Sequence, residues 1–210
     1  MLGDTVNKLV IIDTETGGLD SSRHSILSLA AVVLHQHKLI DQIELFIKEP
    51  VIYADPEALE VNKINLGWLR ANGMTPLQAV LALDTFLIKH FQFTKAHWGG
   101  QNVCFDKGFL ERLYRLAAEE YPTHKHLDFE HRFHYRTTDT MYILRFLGEA
   151  GVLPFTSGAL GDAVEYFGID TRGDTPHNAL GDARTAAKVL SALYRGTSFA
   201  IKGKSNGSEM

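Results

Sequence analysis

The sequence predicts an α/β domain in which a mixed β-sheet is covered by helices. Three observations carry this. The apolar pattern changes from strand-like to helical near residue 55, the first three strand candidates follow one another without a helix, and the later ones are separated by helices. Strands joined by tight turns pair antiparallel, whereas strands linked through a crossover helix pair parallel, so the sheet must contain both.

Leu9-Val10-Ile11-Ile12 is a short continuous apolar run, the pattern of a strand buried on both faces. Ile26 to Leu34 is a second such run. Leu39 to Ile47 alternates over part of its length and reads as a half-exposed strand, with His35 to Lys38 as the hairpin between the two. Asp55-Pro56-Glu57 opens a helix, with a capping acid, proline at the first helical position and an acid in the first turn. Thr75-Pro76-Leu77-Gln78 is a capping box, followed by the amphipathic stripe Leu77, Val80, Leu81, Asp84, Leu87, Ile88 and Phe91. Ala96-His97-Trp98 is a short strand, stopped by Gly99-Gly100. Helices are expected at about 105–120, 139–149, 157–167 and 179–195, with a weakly strand-like Arg136-Thr137-Thr138 among them. After Arg195 the Gly/Ser/Lys composition predicts a flexible tail, so residues 1–196 form a single domain and 197–210 lie outside it.

Composition narrows the function classes. The chain has 210 residues, of which 45% are hydrophobic, enough for one globular domain. Its one cysteine, Cys104, excludes an intrachain disulfide and a Cys-rich zinc site, and reads as a small core residue. No apolar run reaches the roughly 20 residues that span a bilayer and no leader pattern opens the chain, so a soluble, cytoplasmic protein without a membrane role is expected. A formal net charge of -4 argues against coating nucleic acid with basic surface, though a bound metal could supply positive charge locally.

Candidate chemistry rests on acids in unusual places. Asp-x-Glu occurs at Asp13-Thr14-Glu15, Asp55-Pro56-Glu57 and Asp128-Phe129-Glu130, so context must separate them. Helix capping accounts for Asp55 and Glu57, and a polar loop for Asp128 and Glu130. Asp13 and Glu15 instead end a buried strand and point to one face, an arrangement that repels unless a divalent cation lies between them. Asp106 is either an N-cap or a carboxylate on the apolar stripe of Phe109, Leu110, Leu113 and Ala117. Asp182 shares a helix face with Ala179, Ala186, Val189 and Leu193, and His177 stands five residues earlier in a loop. The other His-x4-Asp, His134 to Asp139, ends in an ordinary capping acid. One strand and two helices that each aim an acid at the same sheet, flanked by a histidine, form the constellation of a two-metal phosphoryl-transfer site. Lys107, Arg184 and Lys188 read as solvated helix-surface charges.

Asp13-Thr14-Glu15-Thr16-Gly17-Gly18-Leu19, Asn102-Val103-Cys104-Phe105-Asp106 and His177-Asn178-Ala179-Leu180-Gly181-Asp182 resemble, in order and spacing, the three motifs of the DEDDh 3′–5′ exonucleases, the group of the polymerase III epsilon subunit and ribonuclease T. The resemblance runs from about Lys8 to Arg195 and implies a ribonuclease H-like fold with a five-stranded mixed sheet. It implies that Asp13, Glu15, Asp106, His177 and Asp182 are catalytic, with the four acids serving two Mg²⁺ or Mn²⁺ ions, Asp106 mainly through water. His177 is implied as the base that takes the proton of the attacking water, a task suited to an imidazole. Nucleoside 5′-monophosphates are the implied products. Thr16, Gly17, Gly18, Leu19, Asn102 and Phe105 would contact the substrate, although packing alone accounts equally for Leu19 and better for Phe105. The implied partner is a nucleic-acid 3′ end, DNA or RNA, and a homodimer or a polymerase or repair partner belongs to the same expectation. His124, His126, His131 and His134 make residues 119–136 an insert-like stretch whose histidines read as solvated rather than zinc-binding. Two rivals stand beside an exonuclease: a non-catalytic binding module on the same fold, and a ribonuclease H-like endonuclease.

Overall fold

The computed structural model describes residues 8–122 and 128–205, with side chains to residue 196. Strands β1 (Lys8–Thr16), β2 (Ile26–His35) and β3 (Lys38–Phe46) form an antiparallel meander, and β4 (Ala96–Gly100) and β5 (Phe133–Asp139) add in parallel beyond β1. The sheet order is β3-β2-β1-β4-β5. This is the five-stranded mixed sheet expected, and the Asp13–Glu15 pair falls at the C-terminal end of the central strand β1.

Local chemistry explains the elements. Gln36 and His37 both take left-handed backbone (φ 49° and 64°), the two-residue turn whose twist matches flanking antiparallel strands. β2 is buried from Ile26 to Leu34 because helices cover both faces. On one side, Val10 and Ile12 pack with α3 (Pro76–Phe91) and α4 (Val103–Glu120). On the other, Ile11 packs with α6 (Thr140–Glu149), α7 (Leu160–Phe167) and α8 (Ala179–Ser205). Both bonds of the Thr75/Gln78 capping box are made, at 3.3 and 3.0 Å. Along α3, Val80, Leu87 and Phe91 are buried as expected, but Leu81 is exposed. Asp84 is buried and compensated by Tyr114 Oη at 2.7 Å and by Arg132 Nε and Nη2 at 3.0 and 2.9 Å.

Several expectations need correction. Gly99 and Gly100 finish β4 rather than stopping it: a Cβ on Gly99 would strike the Thr138 carbonyl oxygen, and one on Gly100 would stand 2.5 Å from that of Ile12. Glycine is therefore the residue that lets three strands close up here. The short helices α1 (Pro56–Asn62), α2 (Leu66–Asn72) and α5 (Phe129–Arg132) include two that lack a readable apolar period, α2 and α5; Asn65 caps α2 by accepting from Trp68 N at 3.0 Å. Asp55 makes no side-chain cap; its Oδ2 lies 3.0 Å from His24 Nε2 instead. β5 is longer than Arg136–Thr138, α7 begins at Leu160 rather than 157, and α8 continues past Arg195. Of the histidine-rich stretch, His124 and His126 lie outside the described residues. His134 stacks on His97, ring centroids 4.5 Å apart, and His131 Nδ1 lies 3.1 Å from Asp128 Oδ2. Among the described residues no helix is long and apolar enough to cross a membrane.

Candidate functional site

Strand alternation places Asp13 and Glu15 on the same side of β1 as Ile11, facing α8, and turns Thr14 towards α4. α8 is seated on that side by Ala179, Ala183, Ala186 and Val189, all buried, and the same face carries Asp182 to the strand. One carboxylate oxygen from each of Asp13, Glu15 and Asp182 lies within 4.8 Å of the others. Burial, then the Asp106, Asp182 and Glu15 charges, hold Asp13 well above the usual carboxylate range. Burial and then the Asp182 charge push Glu15 up to about 7, with Glu44 of β3 adding to the effect. Asp182 is also raised by burial, partly offset by the hydrogen bond that His177 N donates to its Oδ2 at 3.1 Å.

Asp106 lies on the other side of the sheet plane. α4 starts at Val103 after Asn102, so Asp106 sits in the first turn and the capping explanation fails. It is buried, accepts a 2.8 Å bond from Thr14 Oγ1, and is raised by burial to about 7. It stands outside the three-acid cluster while adding to the electrostatic load on Asp13. Asp139 fixes the start of α4: its carboxylate accepts from Asn102 N (3.1 Å) and Val103 N (2.8 Å) as well as capping α6 through Met141 N (2.9 Å). Reading Asp139 as an ordinary cap thus saw one of its two tasks.

His177 is exposed, with left-handed backbone (φ 57°), two residues before the start of α8. Asn178 caps that helix through Gly181 N at 3.1 Å, while its amide donates to Glu44 Oε1 at 2.9 Å.

The expected substrate contacts divide. Thr16 is buried and spends its hydroxyl on Gly18 O at 2.7 Å. Gly17 backbone bonds to Ser25 O and Asp55 N, both at 2.7 Å, and a Cβ there would strike the Tyr53 carbonyl. A Cβ on Gly18 would stand 2.7 Å from the buried His24 ring, so neither glycine could carry a side chain. Leu19 projects from this clamped turn with 86% of its surface exposed. Asn102 holds the β4–α4 junction through its backbone, and Phe105 packs on Phe109 with centroids 5.0 Å apart.

Sequence reasoning missed the residues that brace the glycine turn. Glu49, 4% exposed, accepts from Arg112 Nε and Nη2 (2.9 and 2.7 Å), Ser25 Oγ (2.9 Å) and Ile26 N (3.1 Å). Arg112 Nη1 reaches on to Ser22 O at 3.2 Å, tying the turn to α4. Nothing in the one-dimensional pattern pairs residues 49 and 112. Thr14 lies inside the first motif, and a search for hydroxyls between paired acids would have found it. Cys104 is exposed, contrary to the core reading, because Val103 and Asp106 take the inward positions of that turn. Arg184 and Lys188 are not merely solvated: both meet Asp174, at 3.6 and 2.6 Å.

The donor set fits a hard divalent cation. Three carboxylates converge on a scale suited to an ion with oxygen ligands about 2.0–2.6 Å away. The ion pairs among the described residues engage other acids, which leaves these charges without a basic partner. Comparison with known proteins agrees: the sequence profile RNase_T, described as exonuclease, matches residues 10–190. The chain belongs to the exonuclease family. Its fold is the ribonuclease H-like fold of E. coli exonuclease I bound to a dT13 oligonucleotide, to which it is similar at TM-score 0.67 and 17% identity over 89% of this chain and 41% of that one. Exonuclease I of Methylocaldum szegediense gives TM-score 0.67 and 19% identity over 90% of this chain and 40% of that one. The zinc-bound E. coli exonuclease I–ssDNA complex gives 0.69 and 17% over 89% and 40%. The chain therefore spans about two fifths of the length of these exonuclease I chains. No curated protein matches it.

Proposed function

We propose that the chain is a metal-dependent 3′–5′ exonuclease that hydrolyses the terminal phosphodiester of a single-stranded nucleic acid and releases nucleoside 5′-monophosphates. The observation that carries this is the convergence of Asp13, Glu15 and Asp182 without a basic partner, in a chain of the exonuclease family. The single-strand preference draws on the dT13 bound to E. coli exonuclease I. A cytoplasmic setting is in keeping with the single free cysteine.

Asp13, Glu15 and Asp182 would hold the ions, two Mg²⁺ or Mn²⁺ in this reading. Such ions supply positive charge to the scissile phosphate and to its attacking and leaving oxygens. Thr14, on the α4 side of β1, holds Asp106 in one orientation. His177, exposed beside Asp182, takes the proton from the attacking water and releases it to solvent. The Gly17–Gly18 backbone lets a terminal nucleotide approach closely, and exposed Leu19 offers it an apolar surface.

Digestion of 3′-labelled and 5′-labelled single-stranded DNA and RNA, with Mg²⁺ or with excess chelator, tests the proposal. The expected result is mononucleotides released from the 3′ end with metal only. Internal fragments as first products, or cutting in chelator, would contradict it.

A further inference from the structure

The loop between α7 and α8 is fastened along its length. Asp174 N bonds to Thr171 O at 2.9 Å, closing a turn. The Asp174 side chain is only 5% exposed and accepts from Lys188 Nζ at 2.6 Å, with Arg184 Nη1 at 3.6 Å. Lys188 Nζ also donates to Asp170 O at 2.7 Å, and Arg184 Nε to Gln42 Oε1 of β3 at 2.8 Å. Arg184 and Lys188 are four residues apart, so they lie on one face of α8 and grip the carboxylate together. Beyond Asp174, the Thr175 backbone lies so close to Gly181 that a Cβ there would strike the Thr175 carbonyl. Pro176 fixes the next φ, and His177 follows in left-handed backbone that side-chain-bearing residues rarely adopt.

We infer that Asp174, held by Lys188 and Arg184, is a positioning residue for His177: the ion-pair triad clamps the loop so that the imidazole is presented beside Asp182. The loop backbone is held on both sides, by the Asp174 clamp before His177 and by the bond from His177 N to Asp182 Oδ2, while the imidazole is exposed. A buried acid between two cations is the kind of group that fixes one geometry among several. The left-handed conformation at His177 requires that the surroundings over-determine it, and the clamp supplies this. The inference rests on the role of His177 in the proposed reaction.

A double-mutant cycle of Asp174→Asn and His177→Ala tests it, with kcat, KM, Mn²⁺ affinity and melting temperature measured for each variant on single-stranded DNA. Asp174→Asn alone is expected to lower kcat about tenfold with KM and Mn²⁺ affinity unchanged, and His177→Ala about 10²-fold. Combined, the variants should be no slower than His177→Ala, because the clamp acts through that imidazole. Wild-type kcat in Asp174→Asn, or an equal loss in both backgrounds, overturns the inference and leaves the role of His177 standing. Wild-type kcat in His177→Ala overturns that role, and the inference with it. Should Asp174→Asn fail to fold, Lys188→Met, which removes the closer cation from a partly exposed position, is read in the same cycle with the same outcomes.

Discussion

Two sets of acids lie under the helices of this sheet, and they are treated in opposite ways. Asp84 and Glu49, 8% and 4% exposed, are each met by an arginine fork, Arg132 and Arg112, with further hydroxyl or amide donors. Asp13, Glu15 and Asp182 are met by no arginine or lysine among the described ion pairs; burial raises all three carboxyls, and neighbouring acids add to the effect. Where the protein needs an acid for architecture, it supplies the cation. Where it does not, the acids are left in an arrangement that suits a cation from solution.

Substitutions should separate the two sets, beginning with the largest effect. Asp13→Asn is expected to lower exonuclease rate by about 10³-fold or more, while the melting temperature in chelator stays level or rises because repulsion is relieved. Asp84→Ala should do the reverse: it leaves the buried Tyr114 hydroxyl and the half-buried Arg132 without their partner, costing about 3–5 kcal/mol in denaturant unfolding with near-normal kcat. A large stability loss in Asp13→Asn, or none in Asp84→Ala, would erase the contrast.

The pH dependence of stability sharpens the same comparison. Glu15 and Asp106 hold protons up to about 7, against ordinary values of 4.5 and 3.8. The cation-free folded protein therefore keeps protons that the unfolded chain has already released. Its stability should be highest at the acid end of this range and fall as pH climbs from about 4 through about 7, with Asp13, raised in the same direction, adding to the decline. Thermal melts in chelator should show that decline, and Mg²⁺ should raise the melting temperature more at about pH 8 than at about pH 5. A chelated protein that gains stability over the same range would count against the raised carboxyls.

Smaller effects are expected in the glycine turn. Arg112→Lys loses the two-pronged bond to Glu49 and should loosen the turn, raising KM several-fold with little change in kcat. Leu19→Ala should raise KM about two- to fivefold and leave the melting temperature unchanged, since the side chain is exposed. Steady-state kinetics on short single strands checks both.

The sheet, the main helices and the three acidic motifs were legible because each writes a local pattern: a continuous apolar run in β1, a capping box at α3, an acid on the apolar face of α8. Gly99 and Gly100 misled because their meaning lies in neighbouring strands, not in their own segment. Asp55 read as a cap because sequence shows the helix start but not His24. The braces at Glu49–Arg112 and Asp174–Lys188 were invisible for the same reason: long-range pairing leaves no spacing to read, and a charged residue on a helix looks solvated until the loop above it is placed. Asp106 was ambiguous until α4 was seen to begin at Val103, which moved it from the cap into the first turn.

The most direct test is a manganese titration followed by electron paramagnetic resonance, comparing the unaltered chain with Asp13→Asn at about pH 8, above the value of about 7 to which Glu15 is pushed. Saturable binding to the unaltered chain, lost or much weakened in the variant, is the predicted result. Equal binding by both, or no saturable binding by either, would contradict it.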